Sequence, residues 1–472
     1  MNWKKEVEEI KKRQKLSLNQ GGELSVKLQH EKGRNTLRER IDLILDKNSF
    51  DEVGKIAGSP EFDEKDKLKN FTPANFLLGF GKINDRSVII GGEDFTLKGG
   101  SPNPSGLRKS IYTEELALKY KIPLIRLHEG GGGSVTGSGG SAKKPIIPSG
   151  DAVFSKNRFI ALAKCLAVVP VATAALGPVA GLPAARLVAS HFSVMTKDSQ
   201  VLIAGPAVVK RALGIEITKE ELGGPNVHLK SGTVDNLAEN EEDALNQIKK
   251  FLSYLPDNYL HFPPNIKTRD KKDRIENDLI DIIPKDRRKT YNMRKVLSLI
   301  LDTSTFFEYG RKYGSSLITG LARLNGDPVA IIANDCMIYA GAMTAEASMK
   351  LKRFIEFVNT FNLPVISFVD EPGFMIGPDS EKAGTIRHGT SAISALMQSK
   401  VPWASVIVRK VFGVAGGAHF APDSYVLSWP SAETGTLPVE GGVAIAFRKE
   451  IESAKNPEEK RKELELTLAK RS

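Results

Sequence analysis

The feature that most limits what this chain can fold into is a duplication. Residues 79–94, GFGKINDRSVIIGGED, are answered by residues 320–335, GLARLNGDPVAIIAND, and residues 122–132, IPLIRLHEGGG, by residues 363–373, LPVISFVDEPG. Gly79 and Gly320 stand 241 positions apart, and so do Pro123 and Pro364, so insertions between these landmarks balance. A repeat at this separation is a doubled domain rather than a solenoid. In the first pair apolar runs flank Asn-Asp or Asn-Gly-Asp, which predicts a hairpin. In the second, an apolar run closes on an acid and glycines, which predicts a buried strand. A third echo, LRERIDLILD at 37–46 and RKVLSLILD at 294–302, has helical spacing. The shared order is helix, hairpin, strand, helix, strand, glycine cluster, helix. It predicts in each half a mainly parallel sheet with helical crossovers.

The glycine clusters are the part of the repeat that points to chemistry. Residues 166–185, LAVVPVATAALGPVAGLPAA, and 401–420, VPWASVIVRKVFGVAGGAHF, both run from Val-Pro through an apolar strand into small residues, around Val179-Ala180-Gly181 and from Gly413 to Ala418. Small residues let a backbone approach a ligand and aim N–H groups at it. A helix starting there would present unpaired amides suited to a developing oxyanion. One such cluster is more often a tight packing turn; two in matching places make an architecture.

Composition narrows the partners. The formal net charge of +11 favours anionic ligands, but no zinc-finger spacing, RNA-recognition signature or interleaved basic and aromatic run is present, so nucleic acid is not expected. The two cysteines, Cys165 and Cys336, sit in apolar context, which excludes a disulfide framework and a cysteine-based zinc site. No metal site is expected, and a reducing, cytoplasmic setting is. The first fifteen residues lack an apolar core and read as neither signal nor transit peptide. Between Lys164 and Arg186 lie 21 uncharged residues, long enough on paper to span a bilayer, but Pro170, Pro178 and Pro183 interrupt them. They read as a buried strand, a turn and the start of a packed helix, so no membrane span is expected. The expected organisation is a helical arm over 1–32, domains over 33–265 and 280–472 with a charged, proline-bearing linker between, and one charged helix over 450–470.

The order of motifs resembles the carboxyltransferase (beta) subunits of biotin-dependent acyl-CoA carboxylases, the propionyl-CoA and methylcrotonyl-CoA carboxylase group. The matching segments are Arg38-Glu39-Arg40-Ile41-Asp42, Gly92-Glu93-Asp94-Phe95-Thr96 with Gly99-Gly100-Ser101, Ile203-Ala204-Gly205-Pro206, Glu220-Glu221-Leu222-Gly223-Gly224, Phe368-Val369-Asp370-Glu371-Pro372-Gly373-Phe374, Ile386-Arg387-His388-Gly389 and Trp429-Pro430-Ser431-Ala432-Glu433. The resemblance implies an α/β chain of two tandem crotonase-like domains, each a ββα superhelix. It implies acyl-CoA on the first half and biotin on the second half of a neighbouring subunit, in a homo-oligomer, usually a hexamer, with the active site at a dimer interface. Biotin would arrive on a partner, the biotin carboxylase/biotin carrier (alpha) subunit. The chain stops at Ser472, before a segment that in this family follows the last helix and supports the dimer.

Carboxyl transfer to the α-carbon of a thioester passes through an enolate, and loss of CO₂ from carboxybiotin places charge on the ureido oxygen. Two oxyanions need two sets of donors. Carried over from the resemblance, the first hole falls at Gly181 and Leu182 and the second at Val414 and Ala415. Acyl-CoA contacts are expected at Gly100, Gly131, Gly132, Gly133 and Ala180, and biotin contacts at Gly373, Phe374, Gly413, Gly416 and Gly417. Leu182 replaces a second glycine of propionyl-type members, and Pro183 has no N–H to give. Gly417 falls near a place where those members carry an acid, which predicts a pocket for acyl groups longer or more branched than acetyl. The second hole's register is open by one or two residues, and the loop Glu129 to Ser134 departs from the usual Asp-Ser-Gly-Gly.

Several features are set aside. Ser348-Met349-Lys350-Leu351 faintly resembles a biotin-attachment site but lies in a helical run, so Lys350 is expected to be solvated. No P-loop is present. His388 and His419 border the expected site and read as packing or hydrogen-bonding residues. No Ser/His/Asp or paired-carboxylate arrangement is legible. Two rival functions share the motifs: the carboxyltransferase subunit of a sodium-pumping acyl-CoA decarboxylase, and a non-catalytic paralogue.

Overall fold

The structure is a computed structural model that describes residues 2–101, 103–132, 157–271, 273–286, 288–437 and 439–469. The chain divides into two compact units, Met1–Phe262 and Pro263–Ser472, each built around one sheet of the same plan. In the first unit an antiparallel hairpin, Phe76–Ile83 with Arg86–Glu93, is followed through the crossover helix Pro104–Tyr120 by parallel strands Leu124–Gly130, Val171–Ala180 and Phe192–Thr196. In the second, Leu317–Leu324 and Asp327–Asn334 form the hairpin, Ala345–Thr360 crosses over, and Val365–Glu371, Trp403–Phe412 and Tyr425–Ser428 run parallel.

The repeated helix ending in aspartate acquires a physical reason here. Both hairpin loops have two residues with positive φ, Asn84 and Asp85 at 49° and 64°, Asn325 and Gly326 at 53° and 83°, the left-handed pair that matches strand twist. Their amides need an acceptor. Asp46, just past the helix Leu37–Ile44, accepts from Asn84 and Asp85 at 2.9 and 2.8 Å, and Asp302, just past Met293–Ile300, accepts from Asn325 and Gly326 at 2.9 and 2.7 Å. Thr36 and Glu39 close a capping box that starts the first of these helices.

The middle strands are buried on both faces, with Leu124, Ile125, Leu127, Val171, Ala172, Ala174 and Ala175 fully covered, as unbroken apolar runs in parallel sheets require. The 21 uncharged residues resolve accordingly into the end of helix Ile160–Leu166, the strand Val171–Ala180 and the start of helix Leu182–Val188. Among the described residues no helix is long and apolar enough to cross a membrane.

Helices fill the expected N-terminal arm, and two other local expectations need correction. The N-terminal arm is two helices, Lys4–Ser17 and Glu23–His30, because the chain turns at Gly21, whose N–H donates to Thr96 Oγ1 at 3.0 Å. The C-terminal charged segment is also two helices, Arg448–Ser453 and Pro457–Ala469, since Pro457 cannot continue a preceding helix and instead opens the next. Lys350 is not solvated. It lies on the inner face of Ala345–Thr360, buried, with Nζ donating to the Leu317 carbonyl at 2.7 Å.

Candidate functional site

Each unit bends sharply where its longest strand ends. Gly181 follows Val171–Ala180 with φ 63° and ψ −123°, and Gly413 follows Trp403–Phe412 with φ 63° and ψ −161°. This backbone region is open to glycine and costs other residues strain. The strand ladders show that the two turns are equivalent. Gly130 pairs with Val179 and Glu371 with Val411, each after a register shift at the same point, and a short parallel strand flanks each end, Ala180 opposite Leu202 and Phe412 opposite Gly435. Gly413 is thus the turn that corresponds to Gly181, and Val414 and Ala415 are the residues that follow it.

The amides at each turn divide into two kinds. Gly181 donates to the Leu202 carbonyl at 3.1 Å and Gly413 to that of Gly435 at 3.2 Å, so these two N–H groups are spent on the sheet. The next residues open a helical turn, Leu182–Val188 in one unit and the 3₁₀ turn Val414–His419 in the other. Leu182, Val414 and Ala415 therefore carry amides with no intrahelical acceptor. Pro183 has none to offer.

The first unit gathers most of its expected residues into backbone-to-backbone contact. A Cβ placed on Gly132 would lie 2.7 Å from Gly181 Cα and 2.9 Å from the Ala180 carbonyl oxygen; one on Gly100 would lie 2.5 Å from the Glu129 carbonyl oxygen. Gly131 donates to the Gly99 carbonyl at 3.1 Å. Gly100, Gly131, Gly132, Ala180, Gly181 and Leu182 thus share one locus, while Gly133 lies outside the described residues. Buried charge underpins it. Glu129, fully buried beneath Gly177, is held by Arg40 Nη2 at 2.7 Å, Gln29 Nε2 at 2.7 Å and Arg34 Nη1 at 3.3 Å. Burial raises its pKa, against the pull of Arg40.

In the second unit the corresponding acid, Asp370, accepts from Arg409 Nη2 at 3.0 Å and from the Lys410 amide at 3.1 Å, and the Arg409 guanidinium lies 4.8 Å from the centre of the Tyr291 ring. A cleft of about 390 Å³ opens beside this pair, lined by Lys289, Pro372, Arg409, Lys410, Phe412 and Glu433 among others. Gly373 has φ 123°, and added Cβ atoms at Gly373 and Gly413 would meet nothing nearer than 3.9 and 3.5 Å; at Gly417 nothing lies within 4 Å. Gly416, by contrast, is packed, 2.8 Å from Val411 Cγ1 by the same measure, and the Phe374 ring sits on Gly389 of the helix Thr385–Met397. His388 is on that helix, half-buried.

One constellation escaped the sequence reading. Ser367 Oγ lies 2.8 Å from His419 Nδ1, and His419 Nε2 lies 3.4 Å from Glu371 Oε2. All three are fully buried and Glu371 also accepts from Asn334 Nδ2 at 3.0 Å and the Gly373 amide at 3.0 Å, so the row braces the strand end under Gly373 and no substrate can reach it. Sequence carried no signal, since 52 positions separate Ser367 from His419. Burial holds the Glu371 carboxyl above its ordinary range, partly offset by the His419 ring. The unfolded chain therefore gives up that proton at lower pH than the folded one. Above about pH 4.5 this group's contribution to stability falls until the folded carboxyl also ionises. Glu371→Gln is expected to remove that slope, read as melting temperature against pH from 4 to 7; parallel wild-type and variant profiles would contradict it. Among the described residues no group of three or more His, Cys, Asp or Glu is placed to hold a metal.

Residues 28–471 match the family model described as carboxyl transferase domain. The chain is 33% identical over 470 residues to the carboxyltransferase subunit of propionyl-CoA carboxylase of Haloferax mediterranei, spanning 98% of this chain and 89% of that protein. It is 32% identical over 435 residues to the alpha subunit of methylmalonyl-CoA decarboxylase of Veillonella parvula, spanning 91% and 84%. A crystal structure of the transcarboxylase 12S hexamer with methylmalonyl-coenzyme A bound superposes with a TM-score of 0.86 at 32% identity, covering 98% of this chain and 87% of that one. Both units are accordingly crotonase-like.

Proposed function

Because the chain belongs to the carboxyl transferase domain family, we propose that it moves a carboxyl group between carboxybiotin on a carrier protein and the α (or vinylogous) carbon of an acyl-CoA, with one backbone oxyanion hole in each unit. The observation that carries this is the pair of equivalent turns at Gly181 and Gly413, which leave the Leu182 amide in one unit and the Val414 and Ala415 amides in the other without an intrahelical acceptor at the end of a buried strand. In the first unit the Leu182 amide faces the thioester oxygen as enolate charge builds, and Gly181 shapes the turn rather than donating. The glycine contacts among Gly100, Gly131, Gly132 and Ala180 leave backbone, not side chains, against the thioester arm. In the second unit the Val414 and Ala415 amides receive the ureido oxygen.

The residues present fit biotin. No side chain comes within 4 Å of where a Cβ would stand on Gly373, Gly413 or Gly417, which leaves their backbone open to a flat ring. Biotin supplies the carried carboxyl group and, once that group has left, a nitrogen able to take the α-proton, so no side-chain base is required. What this chain does is orient the two reactants and stabilise charge through amides, which mutagenesis elsewhere values at about 100- to 1000-fold per donor. The work is done in an oligomer of hexameric type whose active site spans a dimer interface, in the cytoplasm, where two buried thiols remain reduced. The same amides serve both directions, and the decarboxylase relative favours keeping the reverse reaction as the second reading.

The purified chain alone is expected to carry no biotin and no ATPase activity. It should incorporate labelled bicarbonate into acyl-CoA only when a biotin carboxylase, a biotinylated carrier and ATP are added. A streptavidin-positive band from the mass-verified chain, or no incorporation by the complete mixture and no decarboxylation of a carboxylated acyl-CoA, would overturn the proposal.

A further inference from the structure

The two units match strand for strand until the sheet edge, where the second is left open. Ala172 stands nine positions before Gly181 and pairs with Phe192; Ala404 stands nine before Gly413 and pairs with Tyr425. Tyr425, Leu427 and Trp429 are therefore the counterparts of Phe192, Val194 and Thr196. In the first unit Phe192–Thr196 is wholly buried. Its outer edge pairs in parallel with Asn236–Ala238, and the helix Glu241–Ser253 that follows lays Phe251 on Phe192, ring centres 4.9 Å apart. In the second unit no strand among the described residues takes the outer edge of Tyr425–Ser428, and all four residues are exposed, Tyr425 to 68%. The Trp429 amide is spent on the Ile407 carbonyl at 3.0 Å, so by alternation the N–H groups of Val426 and Ser428 face outward. The counterpart of Val426, Ser193, gives its N–H to Asp235 Oδ2 at 2.8 Å. Trp429 also walls an apolar cavity of about 700 Å³ with Leu279, Ile280, Ile283, Pro284 and Pro430, among others.

Resting on the carrier reading above, we propose that this edge and cavity are where the biotin-carrying partner docks, by a short strand laid along Tyr425–Ser428 and an amphipathic helix that covers Tyr425, Leu427 and Trp429. The first unit supplies the pattern of such a segment: a brief strand, then a helix with Ala244, Leu245, Ile248, Phe251 and Leu252 on its buried face. A bare sheet edge is a template for strand addition, and main-chain bonds flanked by apolar pockets are a recurring mode of peptide recognition. The place also suits the carrier's task. The cavity shares Arg409 and Glu433 with the cleft beside the Gly413 turn, so a carrier anchored there delivers its biotin at high effective concentration. Tyr425, Val426 and Leu427 belong to neither oxyanion hole, which makes docking and chemistry separable.

The test is hydrogen exchange of the intact chain, read by mass spectrometry with and without the biotinylated carrier subunit, beside the carrier dependence of label transfer. Saturating carrier is expected to slow exchange at Val426 and Ser428. Val426→Pro removes an outward N–H where an edge strand tolerates proline, and Leu427→Asp puts a charge in the apolar contact. Each should raise the carrier concentration for half-maximal transfer roughly tenfold or more, as loss of an anchoring contact does, while turnover at saturating carrier stays at the wild-type value. Exchange unchanged by carrier, or variants with wild-type carrier dependence, would overturn the proposal, and slow exchange in the chain alone would overturn it in favour of a second copy. Should both variants fail to fold, exchange in the wild type decides. If the wild type accepts nothing from the carrier, the carrier reading falls and this inference with it; if transfer proceeds while the edge stays open, only this inference falls.

Discussion

Val414→Pro is expected to lower carboxyl-transfer turnover by roughly 100- to 1000-fold with the fold intact. Val414 is the first residue past the Gly413 turn and is 67% exposed, a position where the fixed φ of proline is tolerated. The change therefore deletes one amide N–H and little else. Ala415 is fully buried, and a proline there would also force Val414 out of its helical conformation, so Ala415→Pro is the less clean version of the same experiment. Val414→Ala keeps the amide and should stay close to wild type. His388→Ala, on the half-buried face of Thr385–Met397, should lose much less than Val414→Pro. Steady-state kinetics with circular dichroism as a folding control decide it. A histidine effect larger than the proline effect, or a proline variant at wild-type rate, would mean that side chains and not amides do the work.

Arg40→Met is expected to destabilise the chain by about 3–5 kcal/mol, the usual result of removing one member of a buried ion pair. Arg40 is 1% exposed and its Nη2 meets Glu129 at 2.7 Å, Glu241 at 2.5 Å and the Leu176 carbonyl at 3.0 Å. Arg34, at 3.3 Å, is then the cation left to Glu129, beside the neutral Gln29 amide at 2.7 Å. Since Glu129 stands one residue before Gly130-Gly131-Gly132, loosening it should also reduce acyl-CoA affinity. The double variant Arg40→Met, Glu129→Gln removes the Arg40–Glu129 pair and should recover part of the loss, because the cost lies in the unpaired carboxylate more than in the missing bond, while Glu241 keeps only its bonds from Asn35. Urea denaturation of the four forms measures the coupling. A loss below about 1 kcal/mol for Arg40→Met, the range of exposed pairs, would contradict the assignment.

The duplication made the architecture legible because period and landmark spacing survive in one dimension. Asp46 and Asp302 were visible as an echo, yet their purpose, to hold the amides of a hairpin loop some 40 and 23 positions on, needed the fold. The glycine turns were legible too. Their register was not, since it is fixed by ladders to Leu202 and Gly435, each 21 or 22 positions away. Sequence also treated Gly181 as a donor, whereas its amide is taken by the sheet. Lys350 was misjudged because a charged residue in an amphipathic helix is normally outside, and only the Leu317 carbonyl explains its burial. The meeting of Arg126 and Arg186 on Glu114 had no sequence signal at all. Two arginines 60 positions apart meet one glutamate only through packing.

The most direct measurement of the central claim is a single turnover with a carrier protein already bearing labelled carboxybiotin, mixed with this chain and an acyl-CoA in the absence of ATP. Carboxyl transfer through backbone amides predicts rapid appearance of acid-stable label in the acyl-CoA, dependent on the chain and slowed at least a hundredfold by Val414→Pro. Label that stays on the carrier or escapes only as CO₂, at the same rate with and without the chain, would contradict it.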